Sequence, residues 1–248
     1  MRLARIYQPQ PLRTGDVIGL SKAAAHHLIR VLRLSVGREF ILFNGEGGEF
    51  SAKIISCKKA SVSIQVGEYN EVNRESPLQI ILGQAVIRSE KMDYTLQKAV
   101  ELGVSHLIPL LSERSSPKLS VERWEKRLRH WQAIIVAACE QSGRTRIPSI
   151  SRPILFELAI NEIKADIHVI LMPDAGKTIQ QLMVSTTRIA ALVGPEGGWS
   201  ETESKIAIAA GYVPIQLGPR ILRTETAGVV AMALFQREFG DISGFSLG

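Results

Sequence analysis

Cysteine is nearly missing from this 248-residue chain, with only Cys57 and Cys139 present. A disulfide scaffold needs a higher density, and the usual zinc site needs a C-x-x-C spacing that two distant thiols cannot supply. Long apolar runs are missing too. The longest candidates, 133–139 and 227–235, fall well short of the roughly 18 residues a membrane helix needs. The opening stretch Met1-Arg-Leu-Ala-Arg-Ile-Tyr-Gln-Pro has no apolar core of the kind a secretory signal carries. Catalytic signatures are equally scarce. There is no G-x-G-x-x-G, no G-x-S-x-G and no H-E-x-x-H, and His26, His27, His106, His130 and His168 show no metal-ligand spacing. Asp174-Ala-Gly-Lys-Thr178 is not a P-loop, because Leu171 stands where that motif needs Gly. Dinucleotide, triad-hydrolase and zinc chemistry therefore have little support. The expectation is a soluble cytoplasmic protein without metal.

What is present is an ordinary globular composition, 45% hydrophobic and 22% charged, with a formal net charge of +6. The grammar changes near residue 72. Before it, 39–43, 48–56 and 61–66 are β-branched or aromatic and partly alternating, which predicts strands. Asn44-Gly-Glu-Gly-Gly48 reads as a hairpin turn, with Asn and Gly supplying positive φ. One helix is predicted over 22–34. After Pro77 strands and helices alternate: strands at 78–87, 106–111, 166–172, 188–193 and 212–217; helices at 90–102, 121–141, 155–163, 200–210 and 224–239, with a helical turn or two at 179–184. This pattern predicts a parallel sheet with crossover helices, whose ligands sit at the carboxyl ends of the strands. The predicted division is a small β-rich domain over 1–72 and an α/β domain over 73–248.

Residues 1–76 carry 11 Lys/Arg against 7 Asp/Glu, so the small domain is the more basic per residue. A helical projection of 22–34 places Ala24, Leu28, Val31 and Leu32 on one face, toward the β structure. Lys22, His26, Arg30 and Arg33 fall on the other. No acid occurs between Ser21 and Gly37, so this stripe reads as a phosphate-tracking surface. On 121–141, Val121, Trp124, Leu128, Trp131, Ile135 and Ala138 form an apolar stripe that reads as core, with Arg123, Lys126, Arg127, Arg129 and His130 beside it.

Two glycine turns follow strands. In Gly194-Pro-Glu-Gly-Gly198 the side chains are sparse, so backbone N–H groups can meet a ligand. Ser200 and Glu203 then form a capping box for the next helix. One unit later Leu217-Gly-Pro-Arg-Ile-Leu-Arg-Thr-Glu225 repeats the design. The two strands are expected to be neighbours, so that the turns make a nucleotide-sized pocket.

The stretches Leu192–Glu203 and Leu217–Ala227 resemble the two cofactor-loop motifs of the SPOUT-class RNA methyltransferases, above all those acting on N3 of one uridine in 16S rRNA. His26–Arg33, Lys91–Gly103, Arg114-Ser115 and Ala138–Arg144 look like further signatures of that family, so the resemblance spans the chain. It implies a PUA-like β-barrel for binding RNA, an α/β domain with a deep trefoil knot, a homodimer, 16S rRNA in the 30S ribosomal subunit as substrate, and S-adenosyl-L-methionine as cofactor. It implies a cofactor site at Met172, Val193, Gly194, Glu196, Gly197, Gly198, Leu217, Gly218, Ile221, Leu222, Arg223, Thr224 and Ala227. RNA contacts would be Lys22, His26, Arg30, Arg33, Lys91, Arg114 and Arg144. Uridine N3 must lose a proton before it attacks a methyl carbon. A guanidinium would stabilise the anion and a carboxylate would take the proton. Arg223 is the candidate for the first role, Glu225 and Glu140 for the second. Glu225 also reads as a helix-start acid, and Glu140 and Arg144 as an ion pair. A non-catalytic RNA-binding or ribosome-assembly factor and a ribose 2′-O methyltransferase stand as alternatives.

Overall fold

The computed structural model describes residues 3–58, 61–115, 119–182 and 186–242. They group into two compact units, Met1–Glu75 with Val136–Ile147, and Ser76–Ile135 with Pro148–Gly248. The sequence division at 72 lies close to the first boundary. It did not anticipate that a segment from the middle of the chain joins the first unit.

The first unit holds strands β1 (Arg5–Tyr7), β2 (Val17–Gly19), β3 (Glu39–Phe43), β4 (Glu49–Lys58) and β5 (Ser61–Asn70) in the order β1-β3-β4-β5-β2. β1 and β2 were missed because three residues carry no readable alternation. The β3–β4 hairpin turns as expected, but Asn44 does not supply positive φ. Gly45, Gly47 and Gly48 do, while the Asn44 side chain accepts the Glu46 N–H. Ile6, Phe40, Leu42, Ile54 and Ile64 are fully buried in one cluster that the helix side chains Ala24, Ala25 and Leu28 complete.

That helix departs from its projection. Helix α1 covers only Lys22–His26, and His27–Val31 continues as a π-helical turn. The wider turn carries the chain off the 3.6-residue period. Val31 and Leu32 consequently lie exposed rather than packed, and Ile29 and Leu34 cover the core instead. Lys22, His26, Arg30 and Arg33 are all exposed, and Arg33 takes φ 54° to close the turn.

An ionic lattice explains why 136–147 belongs here. Glu49 receives Arg5 and Arg74, and Arg5 Nη2 also donates to the Arg144 carbonyl at 3.0 Å. Arg144 forks onto Glu75, with Nε at 2.9 Å and Nη2 at 2.5 Å from Oε2. Buried ions persist only when paired and hydrogen-bonded, and each charge here has a partner.

In the second unit, strands β6 (Gln79–Ala85), β7 (Val104–Leu111), β8 (Ser149–Ile150), β9 (Ile154–Leu155), β10 (Ile167–Leu171), β11 (Arg188–Val193) and β12 (Val213–Ile215) form one sheet in the order β12-β10-β11-β6-β7-β8, with β9 also on β7. Every pairing is parallel. Parallel sheets are covered on both faces, so β11 reads as an unbroken apolar run with five consecutive buried residues. Helices α2 (Ser89–Glu101) and α6 (Thr224–Phe239) pack together against β6, β7 and β11. Helices α4 (Phe156–Glu162) and α5 (Glu201–Ala209) pack on a core of Ile108, Leu110, Ile170, Ala190 and Leu192. Helix α3 (Val121–Ser142) begins in this unit and ends in the first. Trp131, Ile135 and Ala138 of its stripe are buried, whereas Val121 is exposed. Ile179–Leu182 is a single 3-10 turn, and Val184 of the expected segment lies outside the described residues. β8 and β9, two residues each, were not foreseen.

Candidate active site

The two glycine turns do not follow adjacent strands, because β10 lies between β11 and β12 and pairs with both. This corrects the expected pocket without removing it. The middle strand contributes its own end, Leu171-Met172-Pro173, to a cavity of about 530 Å³ at the carboxyl edge of the sheet.

Every cofactor candidate read from the sequence lines that cavity: Met172; Val193, Gly194, Glu196, Gly197 and Gly198; Leu217, Gly218, Ile221, Leu222, Arg223 and Thr224; and Ala227. The reading missed Pro173, Trp199, Ile215 and Arg220, which also line it, and it placed Lys91 among RNA contacts rather than in this wall. Apolar walls with a few polar groups are what an adenosyl-sized ligand needs. Gly218 sits at φ 108°, a conformation that side chains rarely adopt, and so keeps the second turn tight.

The loops are fixed from behind. Gln84, at the end of central strand β6 and 1% exposed, donates from Nε2 to Thr224 Oγ1 at 3.1 Å. The Thr224 hydroxyl in turn donates to the Gly194 carbonyl. One buried amide thus ties the second turn to the first. Ser200 and Glu203 form the expected capping box, at 3.1 and 2.9 Å, and the other Glu203 oxygen accepts the Glu113 N–H at 2.9 Å. Trp199 packs on Phe156 with ring centroids 4.9 Å apart, and its Nε1 donates to the Leu171 carbonyl at 3.2 Å, closing the end of β10 over the first turn.

Charged groups gather at one side. Lys91 Nζ lies 3.3 Å from Glu225 Oε1 and 3.8 Å from Glu196 Oε1. Glu225 Oε2 is buried and has no partner among the described residues. Arg223 is the N-cap of α6. Its side chain is exposed on the cavity wall and makes no cap bond. Arg114 is exposed and donates to the Gly197 carbonyl at 2.9 Å.

Glu140 and Arg144 fall elsewhere. Neither lines the cavity, and they do not make the pair the sequence suggested. Glu140 accepts the Tyr7 N–H at 2.9 Å and faces His27 Nδ1 at 3.2 Å. Burial, the largest influence on it, raises its pKa above the ordinary carboxyl value. Arg144, 7% exposed and forked onto Glu75, is committed to the lattice of the first unit. Among the described residues no cluster of His, Cys, Asp and Glu could hold a metal ion, and no helix is long and apolar enough to cross a membrane.

A family model described as an RNA methyltransferase domain matches residues 74–236, the whole region that builds this cavity. The chain belongs to the RNA methyltransferase family. A second model, the PUA domain of RNA methyltransferases, matches residues 20–66. The α/β domain is of the SPOUT class, preceded by a PUA domain. Similar family members include the ribosomal RNA small subunit methyltransferase E of Buchnera aphidicola from Schizaphis graminum, 36% identical over 98% of this chain and 99% of that one. A methyltransferase from Legionella pneumophila, solved in complex with S-adenosylmethionine, is 40% identical with a TM-score of 0.95 over 97% of this chain and 100% of that one. The ribosomal RNA small subunit methyltransferase E of Neisseria gonorrhoeae, solved bound to S-adenosyl methionine, is 34% identical with a TM-score of 0.91 over 98% and 100%.

Proposed function

We propose that this RNA methyltransferase transfers a methyl group from S-adenosyl-L-methionine to N3 of one uridine in 16S rRNA of the small ribosomal subunit. The observation that carries the reading is the cavity itself. The twelve candidates in the two loop motifs, and Met172 just after β10, all line it, and two similar proteins are solved with S-adenosylmethionine bound. The adenine would lie among Met172, Leu217, Ile221 and Leu222, against the backbone of the two glycine turns. When bound, the cofactor supplies a methyl carbon on a sulfonium, an electrophile that needs no metal.

The protein's own contribution is alignment and charge. Arg223, exposed on the wall with a side chain that makes no cap bond, stabilises the anion left when uridine N3 loses its proton. Glu225 takes the proton, with one oxygen anchored by Lys91 and the other unpartnered. N3 then forms its bond to the methyl carbon while the carbon–sulfur bond breaks and its electron pair stays on sulfur. The exposed Lys22, Arg30 and Arg33, with the exposed imidazole of His26 beside them, track the RNA backbone from the first unit. The protein works as a cytoplasmic homodimer. A trefoil knot at the C-terminal loops is part of the same reading.

N3 lies on the pairing edge of uracil, so its methylation blocks reverse transcription, whereas ribose 2′-O methylation leaves that edge intact. Treating unmodified small subunits with the protein and S-adenosylmethionine is expected to create one new strong stop in primer extension. Methyl incorporation without such a stop would favour the ribose reaction and refute this reading.

A further inference from the structure

A second cavity, of about 610 Å³, adjoins the first and shares Lys91 and Glu196 with it. Its remaining wall is Val86, Ile87, Arg88, Arg114 and Arg127. Four cations thus face one carboxylate. We infer that this cavity holds a phosphate group of the RNA strand next to the methylated nucleotide; the inference rests on the RNA reading above.

Three features point to an anion. Arg127 is stacked near two indoles, its Cζ 5.5 Å from the Trp124 ring centre and 5.8 Å from that of Trp131. This orientation is fixed by the aromatic faces, not by an acid. Its Nη1 is buried and has no acceptor among the described residues. A buried donor left without an acceptor is costly, and a phosphate oxygen would satisfy it. The third feature is the start of α2. Arg88 is its N-cap and makes no side-chain cap bond, so the positive end of a 13-residue helix opens at the cavity wall. Lys91, one turn in, and Arg114, held to the Gly197 carbonyl at 2.9 Å, stand between this cavity and the glycine turn. A nucleotide whose base reaches the first cavity places a flanking phosphate within a few ångströms of the sugar, which is the scale of two cavities sharing a wall.

Two anions carry the needed chemistry, the RNA phosphate and the carboxylate of the cofactor's methionine moiety, and the test separates them. Protein saturated with S-adenosylhomocysteine is titrated with uridine 3′,5′-bisphosphate and with uridine. The bisphosphate is expected to bind at least ten-fold more tightly. Arg88→Ala and Arg127→Ala should each remove most of that preference while the affinity for S-adenosylmethionine stays within two-fold. Arg88 is exposed at the surface, so its variant serves as the test even if loss of Arg127 disturbs the tryptophans. Equal binding of the two probes, or a preference that survives Arg88→Ala, would overturn the proposal. So would a loss of S-adenosylmethionine affinity with the bisphosphate preference intact, which would assign the site to the cofactor carboxylate. No step of this test needs turnover. A protein that prefers the bisphosphate through these arginines but methylates no 16S rRNA would therefore refute the substrate reading alone.

Discussion

Gln84, Thr224 and Gly194 form a short hydrogen-bonded chain that holds the two cofactor turns in register. Gln84→Leu keeps the volume but leaves Thr224 without its buried partner. It is expected to weaken S-adenosylmethionine binding about ten-fold, measured by calorimetry, with little change in the affinity for RNA. Arg223 behaves oppositely. Its side chain is exposed and makes no cap bond, so Arg223→Ala should leave the melting temperature within about 2 °C. The methyl-transfer rate should fall by at least 100-fold, the range expected when a transition-state charge loses its partner. Near-normal turnover would remove Arg223 from the mechanism. At this scale the cavity-lining residues of the two loops were legible because each loop is contiguous in sequence. Gln84 and the Lys91 bridge were not. Nothing in a strand-end Gln or a helix Lys announces what it meets more than a hundred residues later.

At the scale of elements, the capping box of α5 does more than start a helix, because Glu203 also accepts the Glu113 N–H. Ser200→Ala loses one cap bond, at about 1 kcal/mol. Glu203→Ala leaves the buried Ser200 N–H and the part-buried Glu113 N–H without their acceptor, and about 1–3 kcal/mol is expected from urea unfolding. The end of α3 carries a pH-dependent element. Burial raises the Glu140 pKa in the folded protein, so the folded state takes up a proton that the unfolded chain releases near pH 4.5. Stability should therefore fall as pH climbs from that value through the raised folded pKa. Glu140→Gln should flatten this slope in denaturation measured between pH 4 and pH 7. Elements with strong periodicity, such as β11 and α6, matched the sequence reading residue for residue, because an unbroken apolar run or a long amphipathic stretch leaves little choice. The π turn after α1 was illegible for a physical reason. Its hydrogen bond from Leu32 N–H to the His27 carbonyl adds one residue to a turn, and a projection at 3.6 residues per turn assumes that never happens.

At the scale of the whole molecule, the proposed reading gives the first unit the basic helix stripe that tracks RNA and the second unit the cavity where chemistry occurs. A sequence division at 72 could not reveal that Val136–Ile147 joins the first unit. Within that unit Arg144 meets Glu75, and Arg5 meets the Arg144 carbonyl, across separations that no local pattern announces. Arg30→Ala combined with Arg33→Ala should weaken RNA binding and lower the slope of log K against log salt by roughly 0.7 per lost phosphate contact. Unchanged binding would make the stripe a merely solvated face. The central claim, methylation of uridine N3 in the small subunit, is tested most directly with labelled S-adenosylmethionine and 30S subunits that lack the modification. The product is then identified by nucleoside mass spectrometry. The account predicts label in 3-methyluridine alone, at one site, and lost in the Arg223→Ala protein. Label in a 2′-O-methylated nucleoside, or none at all from protein that binds the cofactor, would contradict it.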